Sequence, residues 1–122
     1  MNTWLAVFLG GGLGSVLRFG VSRVVLLLAP RAVFPLATLV SNLLATALLA
    51  FVVLRMNDQL PGRDPLKAFV VVGICGGFST FSTFSYENFL LMREQHYGLV
   101  AANILISVVA GVAVIHLIAR NP

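Results

Sequence analysis

The residues of this chain best suited to chemistry are hydrogen-bond donors placed inside apolar segments. They are one arginine, two asparagines and several hydroxyl side chains: Arg18, Thr38, Asn42, Ser82, Thr83, Asn103 and Ser107. No carboxylate lies in the middle of any of these segments. Because a pathway through a membrane selects by the donors, acceptors and fixed charge along its lining, donors without an acid favour a small anion over a cation.

Phenylalanines accompany these donors in a near-exact Phe-Ser-Thr repeat over residues 78–85. Phe81 and Phe84 are three residues apart, so on a helical turn their side chains share a face. The edge of a phenyl ring carries partial positive charge and its face carries partial negative charge. Ring edges therefore add further donors, and a path lined by ring edges, amides and hydroxyls would suit a small anion.

The sequence offers no catalytic set. Neither a Ser–His–Asp nor a Cys–His grouping is apparent, and no phosphate-binding loop is present. His96 and His116 fall at opposite ends of the last hairpin, and Cys75 sits in mid-segment, where it is expected to be a small buried hydrophobe. We therefore expect a protein that is not an enzyme.

Composition places these donors in a membrane protein. The chain has 122 residues, of which 59% are hydrophobic and only 10% are charged, and a soluble domain of this size carries more charge. The net charge of +4 comes from a few loop residues, whose expected neighbour is the membrane surface. We accordingly expect contact with a lipid bilayer and none with nucleic acid.

Four apolar segments are long enough to cross a bilayer as helices, over about residues 4–28, 35–54, 66–92 and 99–119. Pro35 suits the first turn of the second segment, and Asp64 with Pro65 suits the start of the third. Short loops join the segments, and because the number of crossings is even, both termini are expected on the same side of the membrane. The sequence predicts an all-α integral membrane protein in which residues 1–122 form a single four-helix domain.

The third segment is predicted to be broken at its centre, over residues 76–84, which begin with the glycine pair Gly76-Gly77. Two adjacent glycines weaken a helix by about 1 kcal/mol each relative to alanine, and the hydroxyls that follow can satisfy backbone groups left free by a break. Such a break leaves main-chain carbonyls exposed at membrane depth, where they need a wet cavity or a protein partner. The alternative is an ordinary helix with a closely packed Gly-Gly face and hydroxyls bonded to their own helix.

Arg18 is the only basic residue well inside an apolar segment. Burying such a charge at the bilayer centre costs about 2.5 kcal/mol or more, so it is expected to face a wet vestibule. The alternative is that its long side chain reaches the lipid headgroups. Just before it, Gly10, Gly11, Gly12 and Gly14 leave one wall of the helix bare, so that another helix can approach closely.

Polar stripes run along the second and fourth segments. Thr38, Asn42 and Thr46 recur every fourth residue in the second, as do Asn103 and Ser107 in the fourth. Interhelical hydrogen bonds would use such stripes to join helices. A buried asparagine with two amide donors could equally face a hydrophilic ligand, and the sequence leaves both readings open.

The loop charges are almost balanced between the two faces of the bundle. One face carries Arg55, Arg63, Lys67 and Arg120, and the other carries Arg23, Arg31 and Arg93, with Arg18 as a fourth. The positive-inside rule then gives little preference for either orientation. The sequence therefore predicts pairing of the chain with its own inverted copy, the alternative being one orientation set by other factors.

Three motifs in order resemble the Fluc/CrcB family of small fluoride channels over essentially the whole chain. They are Gly-Gly-Leu-Gly-Ser-Val-Leu-Arg at residues 11–18, Thr-Leu-Val-Ser-Asn at 38–42, and Gly-Gly-Phe-Ser-Thr-Phe-Ser-Thr-Phe-Ser at 76–85. This chain departs from the family pattern at a few positions. Ala37 and Ala45 stand where glycines are common, Ser79 replaces a threonine, and Asn103 stands where some members have a tyrosine.

The resemblance implies a fluoride-selective channel that exports fluoride passively, as a dual-topology antiparallel homodimer with two pores. It further implies a structural sodium ion at the centre, held by the backbone carbonyls of Gly76 and Ser79. Its implied anion-binding residues are Phe81, Phe84, Asn42, Arg18, Thr38, Ser82, Thr83 and Ser107. The implied location is the bacterial or archaeal cell (inner) membrane, as a multi-pass protein.

Two other classes fit some of these features. A small dual-topology proton-coupled exporter would match the length, but it needs an ionisable acid in the membrane core, which the first segment lacks. A non-transporting membrane scaffold would use the polar stripes only to join its helices.

Overall fold

The structure is a computed structural model that describes residues 2–56, 62 and 64–120, and the described part contains helices and no strand. Four helices are long and apolar enough to cross a membrane, and we call them the first to fourth spans: Thr3–Leu28, Leu36–Arg55, Asp64–Arg93 and Tyr97–Arg120. Each boundary lies within two residues of its predicted position. Arg63, which the charge balance includes, lies outside the described residues.

Local sequence accounts for the ends of these spans. The Asn2 side chain caps the first span by accepting a hydrogen bond from the Trp4 amide at 2.7 Å. Pro35 is the residue immediately before the second span. Arg55, in the last turn of the second span, donates from Nη1 to the Ile118 carbonyl at 3.2 Å and so ties the second span to the end of the fourth.

The first span packs closely against the backbone of the third. A side chain at Gly10 would overlap the Phe69 carbonyl oxygen, and one at Gly14 would overlap the Ile74 carbonyl oxygen. Gly12, by contrast, has open space beside it. The glycine wall predicted from the sequence therefore serves, at Gly10 and Gly14, a contact within one chain.

The third span is irregular in two places. Its helix widens into a π-helix over Ala68–Ile74, returns to an α-helix over Cys75–Phe78, and resumes as an α-helix over Phe81–Arg93. Ser79 and Thr80 lie between the last two helices in extended backbone. Gly76 and Gly77 are themselves helical, and the interruption follows them at Ser79 and Thr80, inside the predicted break over residues 76–84. Gly77 instead permits close approach to the first span, where a side chain would overlap the Gly11 carbonyl oxygen.

Few large side chains are buried within one chain. The small core consists mainly of Ala6, Ala45, Ala50, Val52, Cys75, Phe78 and Leu91. Large apolar residues such as Phe8 and Leu27 are 75% and 80% exposed. An outer surface of this kind is expected where hydrocarbon or another membrane protein, rather than water, surrounds the spans.

Candidate functional site

The site is built around the interruption at Ser79 and Thr80. Ser79 has φ −84° and ψ 156°, and Thr80 has φ −153° and ψ 118°, so both residues leave the helical path. The Ser79 hydroxyl donates to the Cys75 carbonyl at 2.8 Å. The Thr80 hydroxyl accepts from the Thr83 amide at 3.2 Å and caps the helix that follows. Two hydroxyls of the Phe-Ser-Thr repeat thus close the two helix ends.

Asn42 reaches the interruption from the second span and bonds to the main chain of Thr80. The Thr80 amide donates to Asn42 Oδ1 at 2.7 Å, and Asn42 Nδ2 donates to the Thr80 carbonyl at 3.4 Å. Because a backbone N–H can only donate, the oxygen of the Asn42 amide must face it. The Nδ2 group carries two hydrogens, so one N–H of Asn42 remains for another acceptor.

Arg18 reaches the interruption from the first span. Its Nε donates to the Gly77 carbonyl at 3.1 Å, and in a continuous helix that carbonyl would accept from the Phe81 amide. Arg18 is therefore bonded inside the molecule through Nε, which differs from the alternative in which the side chain runs out to the headgroups. The arginine satisfies a carbonyl that the interruption leaves without its helical donor.

The carbonyls of Gly76 and Ser79 also lose their helical donors. The Thr80 amide, which a continuous helix would direct to Gly76, donates to Asn42. The Thr83 amide, which would serve Ser79, donates to the Thr80 hydroxyl. Both residues line one depression of about 210 Å³, together with Ala45, Thr46, Leu49, Val71 and Cys75. We call it the carbonyl depression.

A second depression, of about 310 Å³, adjoins the first and contains the phenylalanines. It is lined by Asn42, Thr46, Ser79, Thr80, Phe81, Phe84, Ser107 and Val108, and we call it the aromatic depression. The rings of Phe81 and Phe84 are 6.1 Å apart between centroids and inclined at 37°. Phe81 is 78% exposed, so a single chain forms only part of a wall around this space. Thr46 and Ser79 line both depressions and separate them.

Four residues predicted for the anion path therefore meet in one place, namely Asn42, Phe81, Phe84 and Ser107. The other four do not line the aromatic depression. Thr38 is 6% exposed and lies beside the Glu87 carboxyl group. Ser82 is exposed, with its hydroxyl 3.4 Å from that of Thr80, while Thr83 contributes its backbone amide and Arg18 holds Gly77.

A buried polar chain lies behind the aromatic depression, and its member on the third span, Asn88, was not predicted from the sequence. Asn103, only 1% exposed, donates from Nδ2 to Asn88 Oδ1 at 2.9 Å, and the Ser107 hydroxyl donates to Asn103 Oδ1 at 3.2 Å. This chain joins the third span to the fourth. Its sequence signal was available, because Asn88 follows Phe84 by four residues and so lies on the same helical face.

The oxygen atoms at the interruption are the candidates for holding a cation. Among the described residues, no group of three or more His, Cys, Asp or Glu side chains is placed to bind a metal ion. The carbonyl depression contains two main-chain carbonyls freed from helical bonding and the hydroxyl-bearing Thr46 and Ser79, with no carboxylate in its lining. Oxygen ligands without formal charge suit a hard monovalent cation.

Comparison with known proteins gives one consistent family. A family model described as CrcB-like protein, Camphor Resistance (CrcB), matches residues 5–118. A protein of Coxiella burnetii named fluoride-specific ion channel FluC is 37% identical over 110 residues, which cover 89% of this chain and 88% of that protein. Proteins of the same name from Azobacteroides pseudotrichonymphae and Pyrococcus abyssi are 41% identical over 110 residues and 35% identical over 117. The first alignment covers 89% of this chain and 86% of the Azobacteroides protein. The second covers 96% of this chain and 93% of the Pyrococcus protein.

Proposed function

The chain belongs to the CrcB-like protein family, and from that premise we propose that it is a fluoride channel, which conducts fluoride passively. Its relatives from bacteria and archaea are named fluoride-specific ion channels, and its four apolar spans make it a multi-pass cell membrane protein. The observation that carries the proposal is the aromatic depression, which brings Asn42, Phe81, Phe84 and Ser107 together.

The lining of the aromatic depression suits a small, strongly hydrogen-bonding anion. Phenyl edges offer partial positive charge, and Asn42 has an amide N–H left over after its bonds to Thr80. The lining includes no acidic side chain that would repel an anion. Fluoride leaving water would thus exchange hydration for weak donors, which permits entry without trapping the ion.

The proposed assembly is an antiparallel homodimer with two pores. Two features of the single chain support it beside the balanced loop charges. Phe81 is 78% exposed although it lies on the proposed path, and the space next to Gly76 is open. A second copy in inverted orientation would cover both and enclose the path that one chain leaves open.

Sodium is the proposed structural ion, and the residues present fit it. Gly76 and Ser79 would hold it through their backbone carbonyls, which otherwise cost several kcal/mol each when left unsatisfied away from water. When bound, the ion supplies positive potential beside the anion paths and a link between the two subunits. The protein's own part is to keep both carbonyls out of helical hydrogen bonds.

Fluoride efflux from liposomes tests the function. Purified protein in liposomes loaded with potassium fluoride should release fluoride when an ionophore clamps the membrane potential, and protein-free liposomes should not. A proton-coupled exporter would instead need an imposed pH gradient, and a scaffold would give no efflux under any condition. Either of those results would refute the channel.

Valine substitutions at two glycines, Gly76 and Gly20, test the cation site and the dimer. Gly76→Val should weaken dimerisation or abolish fluoride efflux, because a side chain there meets nothing within its own chain and would crowd only a partner or an ion. Gly20→Val, also open in the single chain, is the control and should remain dimeric. A crystal structure with sodium replaced by a heavier monovalent ion should show anomalous density between the Gly76 and Ser79 carbonyls of the two subunits. No peak at good resolution would contradict the bound cation.

A further inference from the structure

We propose that Asn42 is a positioning residue for the cation site, which sets the direction of the Ser79 carbonyl through the peptide bond that joins Ser79 to Thr80. The inference rests on the proposed function, because it concerns the carbonyl that would hold sodium. It gives Asn42 a task separate from contact with the anion. One side chain would then serve both the aromatic depression and the carbonyl depression.

The geometry of the peptide unit carries the inference. The Ser79 carbonyl and the Thr80 amide belong to the same planar group, and in a trans peptide they point in opposite directions. The described residues contain no cis peptide bond. Because the Thr80 amide is bonded to Asn42 Oδ1 at 2.7 Å, the Ser79 carbonyl must point away from Asn42.

The two depressions lie on the corresponding sides of this peptide unit. Asn42 and Thr80 line the aromatic depression only, Gly76 lines the carbonyl depression only, and Ser79 lies in the wall between them. A carbonyl turned away from Asn42 therefore points away from the aromatic depression and is available on the side that Gly76 shares. Among the described residues, the bond to Asn42 is the one hydrogen bond that holds this peptide unit in its orientation.

The two hydrogen bonds of Asn42 differ in strength, and the difference separates its two tasks. The bond that Oδ1 accepts, at 2.7 Å, is short, whereas the bond that Nδ2 donates, at 3.4 Å, is at the edge of hydrogen-bonding distance. Holding the Ser79 carbonyl thus depends on the acceptor oxygen. Anion contact depends on the N–H donor. An aspartate at position 42 would keep the acceptor oxygen and lose the N–H donor.

Sodium-dependent thermal stability is the direct readout. Purified dimer is unfolded by heating in sodium chloride or in N-methyl-D-glucamine chloride at equal ionic strength, and the wild-type midpoint should be higher in sodium. Asn42→Leu is of similar size but lacks an acceptor. In this variant, the sodium concentration that produces half of the increase in unfolding temperature should be at least tenfold higher than in the wild type. Asn42→Asp should keep the sodium response while losing fluoride efflux. If Asn42→Leu responds to sodium as the wild type does, or if Asn42→Asp loses the response equally, the inference is overturned.

A control and a second measurement complete the test. Ser41→Ala, one residue away in the same helix, removes a buried hydroxyl that has no partner in the described residues and should leave the sodium response intact. Should Asn42→Leu fail to purify as a dimer, Asn42→Ala takes its place. Backbone amide hydrogen exchange over residues 79–83 should be faster than in the wild type in whichever of these two variants is used, and it should remain slow in Asn42→Asp. Unchanged exchange in the variant that lacks the acceptor would also refute the inference.

The outcomes separate this inference from the proposed function. If the wild type conducts fluoride but its thermal stability does not respond to sodium, the proposed cation and the role of Asn42 toward it are refuted, while the proposal of a channel is retained. A wild type that responds to sodium without conducting fluoride removes the channel, while the comparison of the Asn42 variants still decides whether the side chain positions the carbonyl.

Discussion

Phe81 and Phe84 test whether ring electrostatics or bulk matters in the aromatic depression. Phe81→Ile and Phe84→Ile keep the bulk and apolarity but remove the ring quadrupole, which is worth about 0.5–1.5 kcal/mol in aromatic contacts. Fluoride efflux should fall by about tenfold in each, since about 1.4 kcal/mol corresponds to a factor of ten. The dimer should still assemble. Phe51→Ile, at a half-exposed site of the second span, is the control, and normal efflux from both test variants would mean that the rings only fill space.

Arg18 contributes both a hydrogen bond to the Gly77 carbonyl and a positive charge, and we expect a separate effect from the loss of each. Arg18→Ala leaves the Gly77 carbonyl without the donor that it has at 3.1 Å, which should cost about 1–3 kcal/mol of stability. Loss of the charge should lower fluoride efflux more at low ionic strength than at high, because salt screens the attraction of anions. Efflux and thermal unfolding measured at two salt concentrations check both, with Arg23→Ala as the exposed control. Efflux unchanged at both concentrations would rule out a role in drawing in anions.

At the scale of the elements, the contact between the first and third spans depends on glycines of both, among them Gly10 and Gly14 on the first span and Gly77 on the third. Gly14→Ala should destabilise the protein by at least about 1–3 kcal/mol, the usual cost of overpacking, because the new side chain would overlap the Ile74 carbonyl oxygen. Gly20→Ala, on an open part of the same helix, should have little effect or stabilise it. Thermal unfolding of both purified variants decides the matter. Equal midpoints would show that the two backbones have room to separate.

The positions of the spans could be predicted from sequence, but the interruption could be placed only to within residues 76–84. Apolar length and Pro35 are local signals, and they located each span to within two residues. The interruption lies where Asn42, 38 residues away in the chain, bonds to Thr80. A glycine pair indicates that a helix is locally less stable, whereas the helix ends where another residue forms hydrogen bonds with its backbone groups. That partner is known only once the spans are packed.

The site was predicted in the same uneven way. Residues grouped by helical spacing, Phe81 with Phe84, did come together. Thr38, predicted for the anion path, is buried beside Glu87 instead, because spacing fixes which face a residue shares but not what that face meets. The contact between Asn88 and Asn103 likewise joins residues of two spans. Asn103 was predicted from the sequence to be part of a polar stripe, but Asn88 was not identified as its partner.

At the scale of the whole molecule, insertion in both orientations is the testable property. In a background without Cys75, single cysteines placed at Met56 and at Glu94 lie near opposite ends of the bundle, after the second span and after the third. A membrane-impermeant thiol reagent added from one side of native membranes should label about half of each population, since the loop charges give little preference. Complete labelling of one position together with none of the other would establish a single orientation.

The π-helix over Ala68–Ile74 has a consequence for how chain length varies among relatives. Each of its turns closes on the fifth residue instead of the fourth, so the segment holds one residue more than an α-helix of the same number of turns. Removing a single residue there would restore ordinary α-helical turns, and the flanking helices would keep their faces toward the first span. We therefore expect one-residue gaps in evolution to be tolerated within 68–74. The same gap within 76–80 would misalign the interruption with Asn42.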